Sequence, residues 1–492
     1  MPRALVGVLC ALSACSPNAF PDDFIFGAAT AGFQVEAGCP TLPAEQCEDR
    51  RSDWYQWVTS PTELDDLKSI MSFEPLSHAP GQWETFAADL DRAQRDVGLQ
   101  GLRLSLEWSR IFPNATDGLE GDALAAAANP EALATYHAMF DALRARKITP
   151  LVTLNHYTLP VWIHDGVACH RDLATCVNRG WLDHDRIVRE ISKFAGFVAR
   201  EFGDDVTLWA TLNEPFAVVL PGYLLPSADR VNPPGLTLKV VEAKQVMVAM
   251  IDAHARMYDA VKANDPTATV GLVYSTTPTR PKDPASRVDQ RAADNVFYLY
   301  NTAFLDGVVS GLVDADLDGQ PDGPARDDLT GRMDYLGINF YTRITVKGIG
   351  GPIFPTLSPL TTFDPLELAL WEDYPLGLAD VIRHVRQRYG VPMYVTETGV
   401  DSAADATLGA RWLVRTLQAT KQALHDGADV RGFFTWSLLD NYEWNHGMAM
   451  RFGLYAVDAE KSRTPRPSVG AYRDIIRARD VPESLSKTYP LE

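Results

Sequence analysis

The sequence predicts a single α/β domain, a (β/α)8 TIM barrel with long loops on the face where its strands end. Three observations lead there. Short β-branched or aromatic runs alternate eight times with amphipathic stretches along the 492 residues, and eight β/α units are what closes such a barrel. Almost every run passes directly into a carboxylate, amide, imidazole or indole, and the strand C-termini of a parallel barrel share one rim. No internal repeat and no low-complexity linker divides the chain, so one domain over residues 15–492 holds it.

The first fourteen residues stand outside that pattern. Met1-Pro2-Arg3 opens with a positive charge and Ala4 to Ala14 is apolar, too short to span a bilayer as a helix but suited to the core of a secretory signal. Leu12-Ser13-Ala14-Cys15 resembles the lipobox of bacterial lipoproteins, which makes Cys15 a lipidation candidate and the lipid the only membrane contact expected; a misassigned start codon is the alternative. The expectation is therefore export, to the periplasm, outer membrane or medium. Apart from Cys10 and Cys15, the cysteines fall into two close pairs, Cys39/Cys47 and Cys169/Cys176. Neither has zinc-site spacing, and both suit local disulfides in an oxidising compartment, with free thiols as the other reading.

The expected strands are Phe24 to Ala29, Gly101 to Leu106, Pro150 to Leu154, Val206 to Leu212, Thr269 to Ser275, Tyr335 to Phe340, Met393 to Thr396 and Gly432 to Trp436. Between them, Phe86, Leu90, Ala93 and Val97 repeat at helical spacing before Gly98, and Ile187, Ile191, Phe194, Val198 and Phe202 do so before Gly203. Both stripes face a core. Long connections are expected after the first, third and sixth strands, the last rich in Pro and Gly from Arg343 to about Pro375, and such loops would wall a pocket.

The strand ends carry the chemistry. Gln34 follows the first, Arg103 lies on the second, and Asn155-His156-Tyr157 ends the third. Asn213-Glu214 ends the fourth, Asn339-Phe340-Tyr341 the sixth and Glu397 the seventh, while Trp436 to Trp444 continues from the eighth and includes Glu443. Two carboxylates facing each other across a pocket are the minimum equipment for cleaving a glycosidic bond. Amides, an imidazole, a guanidinium and indole faces suit the hydroxyls and C–H faces of a sugar. Singly, His156 reads as a core histidine, Trp436 as packing, Arg103 as an ion pair and Asn339 as a turn residue; their co-occurrence at one rim is what counts. The net charge of −19 disfavours nucleic acid and anionic membranes as partners and fits a small neutral substrate.

Thr211-Leu-Asn-Glu-Pro215, Thr396-Glu-Thr-Gly399, and Trp436-Ser-Leu-Leu-Asp-Asn-Tyr-Glu-Trp444 followed by Arg451-Phe-Gly453 occur in that order. From about Phe20 to Asp474 the chain resembles the family-one glycoside hydrolases of the β-glucosidase and β-galactosidase type, on their archaeal β-glycosidase branch. The resemblance implies a retaining, exo-acting hydrolysis of terminal β-D-glucosides, with β-galactosides and β-fucosides tolerated, and no metal needed for catalysis. It makes Glu214 the acid/base, with a raised pKa, and Glu397 the nucleophile about 5 Å away. Arg103 and Tyr341 would hold Glu397 ionised. Asn213 would bind the 2-hydroxyl, Gln34, His156, Glu443 and Trp444 the others, and Trp436 would floor the ring. Thr398 stands where the family usually has Asn, and Tyr157 where it usually has Trp. Glu443 stands where the 6-phosphoglycosidases commonly have Ser, and a carboxylate there repels phosphate. A non-catalytic sugar-binding barrel and a transglycosidase are the rival readings. The oligomeric state cannot be read.

Asp314, Asp316, Asp318 and Asp322 lie at alternate positions around Gly319, as in the first half of a calcium loop, with Ala325 where an EF-hand has its bidentate Glu. A structural calcium site and a solvated acidic loop are both expected readings.

Overall fold

The computed structural model describes residues 19–491; the expected leader over 1–14, with Cys10 and Cys15, lies outside the described residues. Eight parallel strands close a barrel: β1 Ile25–Ala29, β2 Gly101–Ser105, β3 Thr149–Asn155, β4 Leu208–Asn213, β5 Thr269–Ser275, β6 Tyr335–Asn339, β7 Met393–Glu397 and β8 Val430–Trp436. Each strand pairs with its sequence neighbours, and β8 closes on β1 with Ile25 opposite Gly432 and Ala29 opposite Trp436. Burial on both faces explains why the runs read as nearly continuous apolar sequence.

The barrel's interior is packed, not hollow. Leu151, Leu208, Tyr335, Tyr394 and Phe434 fill it. A Cβ on Gly27 would lie 2.4 Å from the Phe434 ring, so only glycine fits opposite that aromatic. Above this plug the ladder is irregular in two places that matter. The β4–β5 register shifts between Ala210 and Asn213, and the β6–β7 register shifts between Ile338 and Asn339, pairing Asn339 with Glu397. Shifts of this kind re-aim side chains at a rim.

The outer ring comprises α1 Gln82–Arg92, α2 Pro130–Ala145, α3 His184–Phe202, α4 Val240–Asn264, α5 Ala303–Ser310, α6 Gly377–Arg388, α7 Leu408–His425 and α8 Pro467–Ala478. α1 continues as a π-turn to Val97 and stops at Gly98, whose φ of 80° is the left-handed stop that glycine permits. α3 buries Ile187, Ile191, Phe194, Val198 and Phe202, each worth about 1.5–3 kcal/mol relative to exposure. It ends differently: Gly203 keeps φ −61°. Among the described residues no helix is long and apolar enough to cross a membrane.

The expected long connections are present, over 30–81, 156–183 and 340–376. Three more, 214–239 after β4, 276–302 after β5 and 437–466 after β8, are about as long as the β3 connection, a correction to the expected loop pattern. Cys39 is bonded to Cys47 in the first loop and Cys169 to Cys176 in the third. At the opposite rim the Phe20 amide donates to the Arg479 carbonyl at 2.8 Å and the Arg479 guanidinium to the Phe24 carbonyl at 3.1 Å, fastening the start of the first strand to the end of α8.

Candidate active site

Glu397 is the last residue of β7, and Glu214 directly follows β4 with φ 45°. Both line one pocket of about 330 Å³ at the C-terminal rim. Arg103, fully buried on β2, connects their surroundings. Its Nη1 donates to Glu397 Oε1, its Nη2 to Asn213 Oδ1 at 2.8 Å and its Nε to Thr153 Oγ1 at 3.0 Å. Asn339 Nδ2 donates to Asn213 Oδ1 at 3.1 Å and to Glu214 Oε1 at 2.7 Å, while Thr396 Oγ1 donates to Asn339 Oδ1 at 2.8 Å. Glu397 and Glu214 are thus the two ends of one hydrogen-bonded series running through Arg103, Asn213 and Asn339.

The two carboxylates have different company. Burial is the largest influence on Glu397 and pushes its carboxyl up; Arg103 pulls it down, Glu214 pushes it up, and the Tyr341 hydroxyl, donating to Oε2 at 2.6 Å, pulls it down. The net direction is upward, while the two partners expected to hold Glu397 ionised, Arg103 and Tyr341, each favour the charged form. Both partners are in place, but they offset desolvation without overcoming it. Among the described residues Glu214 has no cation in contact: its partners are the Asn339 amide and the Tyr157 hydroxyl, which donates to Oε2.

The remaining expected sugar contacts line the same pocket. Gln34 Nε2 donates to Glu443 Oε2 at 3.0 Å, Asn441 Oδ1 at 2.8 Å and the Tyr442 carbonyl at 3.2 Å, leaving its buried Oε1 without a protein partner. His156 is also buried with Nδ1 unpartnered, and its Nε2 lies 3.2 Å from Asn213 Nδ2. Because Asn213 Oδ1 already accepts two bonds, Nδ2 is the donor and His156 Nε2 the acceptor. Burial, Arg103 and Arg230 drive the imidazole pKa well below its usual value, so His156 is neutral and its proton sits on Nδ1. The pocket therefore offers an amide acceptor and an imidazole donor, a pair that suits vicinal hydroxyls. The Trp436 ring lies nearly parallel to His156 at 6.0 Å, and Trp444 packs on the His156, Phe33 and Trp54 rings.

Burial pushes Glu443 up to about 7; Arg230 opposes this and Glu397 adds to it. Below that pH the group is protonated and loses the strength of a charged acceptor. We expect KM for a β-glucoside to rise as pH falls through about 7, and Glu443→Gln to abolish that step while raising KM throughout. A step that persists in the variant would assign the titration to another group.

Beneath the rim, Glu107 ties three loops together. It accepts from the Phe33 amide at 3.2 Å, Ser105 Oγ at 3.0 Å and Thr158 Oγ1 at 2.6 Å. Burial, with Glu36 and Asp49 nearby, pushes it up to about 8, which leaves it protonated at neutral pH.

Tyr157 and Arg230 carry site contacts that sequence reasoning did not assign. Arg230 lies over the Tyr157 and Trp444 rings at 5.0 and 5.2 Å and 3.6 Å from Glu443 Oε1. No periodicity marks position 230; the strand-end position of Tyr157 was the available signal for that residue. Tyr157, Glu214 and Trp444 have φ of 71°, 45° and 49°, unusual for bulky side chains and costing on the order of 1–2 kcal/mol each. Three such residues around one pocket mark where the fold spends stability on placement.

The acidic loop lies elsewhere. Oxygens of Asp314, Asp316 and Asp322 come within 4.8 Å of one another. Asp318 does not join them, which corrects its place in the expected ligand set: its carboxylate turns back to accept from the Gln320 amide at 2.8 Å. Asp314 already accepts from the Asp318 and Gly319 amides and the Tyr298 hydroxyl, so its oxygens are engaged by donors that a cation would have to displace.

A parallel barrel presenting two buried-rim carboxylates among amides, an imidazole and indoles is an O-glycosyl hydrolase in both fold and equipment. The model of glycosyl hydrolase family 1 matches residues 16–481, and the chain belongs to that family, as a β-glycosidase. It is 33% identical to a β-galactosidase of Pyrococcus woesei, with 95% of this chain and 99% of that one aligned. Among solved structures it is similar to the β-glycosidase of Thermosphaera aggregans, with a TM-score of 0.81 and 29% identity over 96% of this chain and 100% of that one. It is similar also to a β-glucosidase of Pyrococcus furiosus, with a TM-score of 0.79 and 29% identity over 96% and 99%.

Proposed function

We propose that the chain hydrolyses terminal, unphosphorylated β-D-glucosides from the non-reducing end with retention, accepting β-galactosides and β-fucosides as well. The observation that carries this is the unequal pairing of the two carboxylates. Glu397 alone has a guanidinium in contact, which suits the group that must attack as an anion. Glu214 has a neutral amide and a phenol, which suits the group that must exchange a proton.

In the first step Glu214 gives its proton to the glycosidic oxygen while a Glu397 oxygen bonds to the anomeric carbon, and the aglycone leaves as an alcohol. In the second, Glu214 takes a proton from water, whose oxygen displaces Glu397 and restores the original configuration. Asn213, held by Arg103 and Asn339, lies between the two carboxylates in the hydrogen-bonded series and would meet the 2-hydroxyl. Gln34 and Glu443 would read the hydroxyls that separate gluco from galacto sugars, and the Glu443 carboxylate disfavours a phosphate. The two disulfides support action outside a reducing cytosol, and export through the leader is part of this reading.

A panel of nitrophenyl α- and β-glycosides tests it, with the anomer of the first product followed by NMR. We expect β-glucoside turnover giving the β-anomer. Turnover confined to α-linked substrates, or release of the α-anomer, would overturn the mechanism. A strong galactoside preference would overturn only the assigned sugar.

A further inference from the structure

A second cavity, of about 150 Å³, opens beside the catalytic pocket. Its depth is walled by Val219, Leu224, Met247, Leu317, Phe354 and Leu357. Phe216, Leu220, Leu225 and Leu370 line both spaces, so only these side chains stand between the two. Its polar liners are engaged within the protein: Ser358 Oγ donates to the Leu317 carbonyl and Thr361 Oγ1 to the Ser358 carbonyl at 2.7 Å, and the Tyr300 hydroxyl bonds with Ser275 and Thr277. An apolar cavity of this size stays dry and takes apolar guests. The lips are apolar too. Leu225, Leu238 and Leu370, which line it, are 40, 46 and 37% exposed, and Trp371, on the catalytic pocket next to Leu370, is 65% exposed.

Position decides what the guest is. Phe216 and Leu220 follow Glu214 on the short helix that it starts, so the cavity opens on the side where the proton donor must meet the leaving oxygen. We propose that it receives the hydrocarbon chain of the leaving group, making the preferred substrates β-glycosides of long-chain aliphatic alcohols. A sugar leaving group gains nothing there, since each hydroxyl would give up water for a wall without free partners. This rests on the assignment of Glu214 and Glu397 above.

The test is kcat/KM for methyl to decyl β-glucosides, each below its micelle concentration, alongside cellobiose and nitrophenyl β-glucoside. We expect a gain of about fourfold per methylene until the chain outgrows the cavity, with octyl glucoside well above cellobiose. Phe354→Asp and Leu357→Asp, half-buried positions in the loop after β6, should each collapse the octyl-to-methyl ratio towards one. A flat series in the unaltered protein, with nitrophenyl β-glucoside still turned over, would overturn the cavity assignment alone. Absence of nitrophenyl turnover would overturn the catalytic assignment and this one with it. Should a variant fail to fold, the series in the unaltered protein still decides.

Discussion

Glu397→Gln is expected to lower kcat on every β-glycoside by a factor on the order of 10⁴ or more, the scale on which losing a nucleophile is felt. The amide is nearly isosteric: its oxygen can still accept from Arg103, and its NH2, in the place of the oxygen that now accepts from Tyr341, can donate to that hydroxyl once it turns, so the pocket keeps its shape. Sugar affinity should therefore stay within about tenfold by calorimetry, separating loss of chemistry from loss of binding. Intact-mass measurement with a slow fluorinated glycoside should show one sugar covalently attached to the unaltered chain and none on the variant. A variant retaining more than about 1% of turnover would mean that another group attacks the anomeric carbon.

Arg103→Met carries the second large effect. The guanidinium is fully buried and in contact with Glu397 and Asn213; removing it leaves a carboxylate with neither water nor counter-charge, for which about 3–5 kcal/mol is typical. The Glu397 carboxyl, already held up by burial and by Glu214, moves further up. The limb of the kcat/KM profile that reports ionisation of the nucleophile should shift to higher pH, with a loss of about 10²-fold or more at neutrality. The sign for stability follows. Where the folded-state pKa lies above the unfolded one, the folded protein holds the extra proton, and stability falls as pH rises between the two values. The melting deficit of the variant should thus be smallest in acid and widen towards neutral pH. A deficit independent of pH, with the limb unmoved, would reduce Arg103 to a packing residue.

The strands were legible because burial on both faces makes each an apolar run, and Glu214 and Glu397 because two such runs end alike in a carboxylate flanked by polar and aromatic residues, where one alone would read as a solvated or ion-paired loop residue. Asn339 was less so. Its reach to both Asn213 and Glu214 depends on a register shift between β6 and β7, and pairing between strands leaves no trace in local composition. Arg230 was invisible for a related reason: the loop from 214 to 239 has no period to fix where residue 230 points. Asp318 misled in the opposite direction. Alternate acidic residues match a ligand pattern, but which of them converge depends on the turn of the loop: Asp316 and Asp318 each accept from the amide two residues on, and only Asp316 has its oxygens near those of Asp314 and Asp322. The apolar cavity joins residues from the connections after β4, β5 and β6, so no single stretch announces it.

The clasp between Phe20 and Arg479 lies on the rim where strands begin, and the pocket lies on the other. A support or fluorophore attached at the exposed Asp22 or Asp23 would therefore sit on the far side of the barrel from the mouth. Immobilised that way, the molecule keeps its entrance turned to solution, and a bulky glycoside meets no obstruction from the attachment. The same cargo inserted into the connections after β4 or β6 would stand in the doorway.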